Sequence, residues 1–273
     1  MSSEEPQREA GPHRGFAVFV LLASLTSGLT GGVVATALAH LGGTPTPASA
    51  PVAVAGPLDV TAAAQAVMPA VVTVLVGTGS TETTGSGVVI DSQRGYIVTS
   101  SHVVQLPRST RASSDVTILL GDGRTLGATV VGNDVNTDVA VLKADGALPT
   151  QAVFSKDTVL VGAQVIAIGT PGSSLTSGSL ANTLSNTVTS GIVSATGRRI
   201  PREDLRNVIL SDLIQTDASI GAGMSGGPLV LVSTRQVIGL NTFTIRSEAD
   251  LGFAISAATV RRVADEIIAK ASP

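Results

Sequence analysis

The chain is predicted to be all-β, with twelve short strands in two groups of six and a single helix closing the C-terminal end. Three observations lead there. β-branched and aliphatic runs of four to nine residues recur between residues 71 and 255, separated by clusters of Gly, Asn and Ser. The composition is 43% hydrophobic but only 2% aromatic, so the core must rest on Val, Ile, Leu and Ala, whose branched members favour strands. After residue 256 the pattern changes to helical spacing and holds to about residue 271.

The elements follow in order. Asp59 stands where a helix begins, apolar residues recur at helical spacing through Val67, and Pro69 ends the run. Strands are then expected over 71–76, 85–91, 96–100, 116–120, 125–131 and 138–143. A second set is expected over 164–168, 187–195, 213–216, 228–232, 236–243 and 252–255.

Ahead of these elements, residues 16–41 contain no Asp, Glu, Lys or Arg and are long enough to cross a hydrocarbon core, which needs about 20 residues. The expected domain plan is therefore a cytoplasmic tail over 1–15, a transmembrane helix over 16–41, a Pro/Ala/Gly-rich tether over 42–57 and a folded domain over 58–273. Arg8 and Arg14 precede the span and no Lys or Arg follows until Arg94, so the N-terminus is expected on the cytoplasmic side and the folded domain outside. A cleaved signal peptide is the alternative, with Ala37-Leu38-Ala39 or Ala48-Ser49-Ala50 as cleavage candidates, although its apolar core usually runs about 7–15 residues.

The stretch Gly223-Met224-Ser225-Gly226-Gly227-Pro228 carries the chemistry. It presents one serine between glycines, where the backbone can take positive φ and main-chain N–H groups can approach a substrate carbonyl. A serine hydroxyl needs a base to take its proton. Of the three histidines, His13 precedes the apolar span and His40 lies at its end, so only His102 lies within the folded domain. It ends the β-type run Tyr96-Ile97-Val98-Thr99-Ser100-Ser101. A carboxylate must orient the imidazole. Asp138, at the head of Val139-Ala140-Val141-Leu142, fits best, because burying an unpaired carboxylate there would be costly. Asp134 and Asp145 lie in turn-like surroundings and Asp217 more naturally shapes the loop before Ser225, so these are weaker candidates.

The order His102, Asp138, Ser225 is that of chymotrypsin. The flanking segments Val98-Thr99-Ser100-Ser101-His102-Val103-Val104, Thr137-Asp138-Val139-Ala140-Val141-Leu142-Lys143, Thr189-Ser190-Gly191-Ile192-Val193-Ser194-Ala195 and Gln215-Thr216-Asp217-Ala218 resemble the HtrA (DegP/DegS) serine proteases. The likeness covers residues 58–272. It implies a chymotrypsin/trypsin-like double six-stranded β-barrel, with one barrel over about 70–145, the other over about 160–256 and a C-terminal helix over about 257–271. The catalytic triad would lie in the cleft between the barrels. Gly223 and Ser225 would donate their amides to the oxyanion. Ser219 would lie near the base of the S1 pocket, with Leu240, Asn241, Thr242 and Gly252 near its walls. None of these is charged, which favours a small or medium apolar P1 side chain. A homotrimer is the assembly the resemblance implies.

Two features depart from the family pattern. HtrA proteases usually carry Asn-Pro-Gly-Asn before the nucleophile, where this chain reads Ile220-Gly221-Ala222-Gly223-Met224. The 48 residues after Ser225 are too few for a PDZ domain, so regulation by one in the same chain is not expected. Met224 also cannot form the ion pair to a freed N-terminus that orders chymotrypsin-like zymogens. Ordering of this loop is therefore expected from residues 172–186 and 197–212.

Composition narrows the function further. A net charge of −3 provides no basic footprint for nucleic acid. The absence of cysteine rules out disulfides, thiolate catalysis and cysteine-ligated metal, and a single domain histidine cannot build a histidine-rich metal site. No cofactor is expected. The expected function is a membrane-anchored serine endopeptidase hydrolysing exported or misfolded polypeptides. The alternatives are a catalytically silent binding protein on the same scaffold, or an esterase.

Overall fold

The computed structural model describes residues 59–78, 81–105, 115–172, 184–202, 208–245 and 251–271. The expected membrane span, the tether and the N-terminal tail lie outside the described residues. Among the described residues no helix is long and apolar enough to cross a membrane.

The chain enters through α1 (Val60–Val67), capped by the Asp59 carboxylate, which accepts from the Ala62 N–H at 2.9 Å. Pro69 lies in a single 3₁₀ turn, Met68–Ala70, that turns the chain into the first strand. Six antiparallel strands then close a barrel: β1 (Val71–Thr78), β2 (Thr81–Asp91), β3 (Tyr96–Ser100), β4 (Asp115–Leu120), β5 (Thr125–Asp134) and β6 (Val139–Ala144), in the order β1-β2-β3-β6-β5-β4. A one-turn helix, α2 (Ser101–Val104), follows β3. The second barrel is β7 (Gln164–Gly169), β8 (Thr187–Pro201), β9 (Ile209–Thr216), β10 (Pro228–Leu231), β11 (Gln236–Ile245) and β12 (Leu251–Ser256), in the order β10-β11-β12-β9-β8-β7. Helix α3 (Ala257–Ala271) closes the described chain.

Period-two alternation explains the packing. Val72, Val74, Val89, Ile97, Ile118 and Leu142 fill the first barrel. Val165, Ala167, Val193, Ile214, Leu229 and Ile238 fill the second. Their strand neighbours Val71, Val88, Val98 and Val141, with Ile166, Ile168, Val230 and Ile255, point the other way and form a third core that also takes in α1 and α3. This shared apolar layer fixes one barrel against the other, and so fixes the cleft between them. Aromatic packing is sparse, as composition requires; Phe243 and Phe253 stack at 5.1 Å between ring centroids.

Three strands differ instructively from the sequence reading. Asp138 is not the first residue of a strand: its φ is +58°, and β6 begins one residue later. Strands β8 and β9 extend well past the expected ends at 195 and 213, because the Arg-rich segment stays paired through a series of irregularities. Gly197, at φ +68°, is one point where the ladder is offset.

Candidate active site

The pairing of Ser100 with Val139 at the end of the β3–β6 ladder brings together Ser101 and Asp138, which lie just beyond it. There the Ser101 N–H donates to the Asp138 carbonyl at 2.9 Å, and the His102 N–H donates to Asp138 Oδ1 at 3.0 Å. The left-handed backbone at Asp138 aims its carboxylate back at α2. Such a conformation is uncommon for a non-glycine residue and clusters at functional sites. The His102 Nδ1 lies 2.9 Å from Asp138 Oδ2 and 3.1 Å from Oδ1. Asp138 is fully buried, whereas the His102 side chain is 35% exposed, so the ring presents its Nδ1 edge to a buried anion while part of it stays open to solvent.

Thr242, on β11, completes the cradle by donating its hydroxyl to Asp138 Oδ2 at 2.6 Å. The Arg202 guanidinium lies 3.1 Å from Oδ1. Burial pushes the Asp138 carboxyl up, but the imidazole, the Thr242 hydroxyl and the guanidinium together outweigh it and hold the group below the ordinary carboxylate value.

Ser225 lies in the loop between β9 and β10. Its hydroxyl donates to the Thr242 carbonyl at 2.6 Å and makes no hydrogen bond to the His102 ring. Thr242 thus links the carboxylate, through its side chain, to the serine, through its backbone. Gly223 has φ +91° and Gly226 φ +87°. A Cβ at Gly223 would fall 2.5 Å from the Thr170 carbonyl oxygen, and one at Gly226 would fall 2.1 Å from the Ser86 carbonyl oxygen. Glycine is therefore required at both positions by φ and by space. The amides of Gly223 and Ser225 make no hydrogen bond among the described residues.

The loop is held from three directions. Ser86, on β2, donates its hydroxyl to the Gly223 carbonyl at 2.9 Å, accepts from the Thr170 N–H at 2.9 Å, and donates its own N–H to the Ser225 carbonyl at 2.8 Å. The Gly172 N–H donates to the Ala222 carbonyl at 2.6 Å. Met224 is 2% exposed and packs among the second-barrel core residues. The sequence reading looked only to neighbouring loops to order this segment. An apolar anchor inside the barrel does part of that task, where an ion pair is impossible. Most of the 172–186 loop, and residues 203–207, lie outside the described residues.

The remaining pocket residues are placed as follows. Ser219 is exposed, and its carbonyl accepts from the Thr189 hydroxyl at 2.7 Å. A Cβ at buried Gly252 would come within 3.0 Å of Ile220 Cδ1 and 3.1 Å of the Ala218 carbonyl oxygen, beside the segment leading to Ser219. Leu240 and Asn241 are fully buried; Leu240 joins the inter-barrel core and the Asn241 amide donates to the Ile168 and Pro228 carbonyls. Neither turns its side chain toward a substrate, so any contact they make there is through the backbone of β11. Ser86 and Arg202 had no sequence signal for these roles, because both act on residues more than sixty positions away.

Two closed barrels, with a buried carboxylate on an imidazole in the first and a glycine-framed serine in the second, define a chymotrypsin-like peptidase scaffold. The trypsin-like peptidase domain family matches residues 85–240, and the chain belongs to that family. Among curated relatives it is 39% identical over 194 residues to the serine endoprotease DegS of Salmonella typhimurium, an alignment covering 68% of this chain and 48% of that protein. It is 37% identical over 189 residues to the serine protease Do-like HtrB of Bacillus subtilis, covering 67% and 38%. It is 40% identical over 188 residues to a probable periplasmic serine endoprotease DegP-like of Halomonas elongata, covering 67% and 35%. The chain thus spans about half the length of DegS, or less of the other relatives it matches.

Proposed function

We propose that the chain is a serine endopeptidase of the cell envelope, held at the membrane by residues 16–41, which hydrolyses exported or misfolded polypeptides. The observation that carries this reading is the buried Asp138 carboxylate on Nδ1 of a partly exposed imidazole, tied through Thr242 to a serine whose amide, with that of Gly223, makes no hydrogen bond among the described residues. His102 takes the Ser225 proton as Oγ attacks the scissile carbonyl, and Asp138 stabilises the imidazolium. The Gly223 and Ser225 amides receive the oxyanion. The same imidazole protonates the leaving amine, which leaves the acyl group on Ser225, and then takes a proton from water as it attacks that ester; the acid product departs and Oγ regains its proton.

Ser219 and Gly252 supply an uncharged S1 pocket for small or medium apolar side chains. A peptide-library cleavage profile dominated by Arg at P1 would overturn that assignment. The wild-type chain should degrade an unfolded polypeptide such as reduced casein, and the Ser225→Ala chain should not; equal degradation by both would overturn the reading.

One observation favours a second reading, a catalytically silent binding protein on the same scaffold: the Ser225 hydroxyl is engaged with the Thr242 carbonyl. Under that reading the wild-type chain binds unfolded polypeptides without cleaving them.

A further inference from the structure

The Asp138 carboxylate serves more partners than imidazole orientation requires. Oδ1 accepts from the His102 N–H and faces Nδ1 and the Arg202 guanidinium, while Oδ2 faces Nδ1 and accepts from the Thr242 hydroxyl. Among the described residues, the charged or titratable groups paired with this carboxylate are His102, from α2, and Arg202, just beyond the end of β8; β11 contributes only the neutral Thr242. Arg198, further back on β8, faces away to Gln215 at 3.0 Å.

Arg202 reaches its position from the second barrel. Pro201 pairs with Ile209 in the β8–β9 ladder, and the Arg202 N–H donates to the Val208 carbonyl at 2.9 Å, which extends that ladder by one rung. The side chain is only 14% exposed, so solvent screens the contact weakly. A carboxylate shared with a permanent cation offers less of its charge to a second cation. When the imidazole becomes protonated, His102 and Arg202 both draw on one buried anion, and the three groups together carry a net positive charge. Without Arg202 the same protonation would leave a neutral pair.

We propose that Arg202 is a positioning residue that divides the Asp138 carboxylate between itself and His102, weakens the support that carboxylate gives a charged imidazole, and couples the end of the β8–β9 hairpin to the general base. The proposal rests on the triad reading above. A ligand or partner that draws the hairpin end away from Asp138 would release the full carboxylate charge to His102 and strengthen it as a base.

The test is an NMR pH titration of the imidazole signals in the full-length chain, with His102 identified by the loss of its signals in His102→Asn. In Arg202→Gln the titration midpoint of His102 should move to higher pH, by about half to one unit, whereas Arg202→Lys, which keeps the charge, should stay near wild type. Arg202→Ser serves as a second neutral replacement if the glutamine variant does not fold. A midpoint that is the same in wild type and in the neutral variant would overturn the proposal. A residue with only a structural role would lower thermal stability without moving the midpoint. Because the titration needs no turnover, an inactive wild-type chain would refute the endopeptidase reading and still leave this measurement decisive.

Discussion

Ser225 and Thr242 are joined by a 2.6 Å hydrogen bond in which the serine hydroxyl donates to the threonine carbonyl. The proposed proton transfer to His102 therefore requires the hydroxyl to turn away from β11 first. The same threonine donates its side-chain hydroxyl to Asp138, so one β11 residue holds both the serine hydroxyl and the buried carboxylate.

Replacing Thr242 by Val should remove a hydrogen bond to a buried carboxylate while leaving the backbone carbonyl in place. The expected cost is about 1.5–3 kcal/mol of folding stability, the range for hydrogen bonds to charged groups. Hydrolysis should slow by about tenfold or more, with Thr242→Ser restoring both properties. Urea unfolding together with peptide-hydrolysis rates checks this.

Two glycine substitutions should behave differently. Gly226→Ala combines a positive φ with a Cβ 2.1 Å from a backbone oxygen, so backbone must move; its destabilisation should exceed about 3 kcal/mol and hydrolysis should be lost. Gly197→Ala has positive φ but nothing within 4 Å of its Cβ, so it should cost only about 1–2 kcal/mol. Equal denaturation midpoints for the two variants would contradict this account of the nucleophile loop.

The depressed Asp138 carboxyl makes folding sensitive to acid in a definite direction. An unfolded aspartate titrates near about 3.9, so between that value and the lower folded one the unfolded chain binds more protons. The stabilisation from the ionised group is therefore complete above about pH 5 and declines as pH falls through the folded value. Asp138→Asn should lack this component: its stability should fall less steeply than that of wild type below about pH 4. At neutral pH it should also hydrolyse peptides about ten-thousandfold more slowly, because the imidazole loses its oriented tautomer and its anion.

Much of this molecule is legible in the sequence where local pattern dictates structure. Alternating Val and Ile define the strands, Asp59 and Pro69 bracket the first helix, and elimination isolates His102. What escaped was non-local. The one-turn helix at Ser101 is too short to leave a periodic signal, and Asp138 reads as a strand residue although its backbone is left-handed and β6 begins one residue later. Ser86 looks like any small residue in a Gly-Ser-Gly strand, yet it bolts the Gly223–Ser225 loop of the second barrel to the first. The Arg-rich segment falls beyond the expected strand end at 195 because its pairing in β8 runs through irregularities, and the carboxylate that Arg202 meets lies far away in sequence.

Labelling with a fluorophosphonate tests the central claim most directly. Intact-mass analysis and peptide mapping should find one adduct, on Ser225, formed rapidly by the wild-type chain and lost in both Ser225→Ala and His102→Ala. No adduct on the wild-type chain, or one that persists when His102 is removed, would contradict the account of Ser225 as a nucleophile activated by the His102–Asp138 pair.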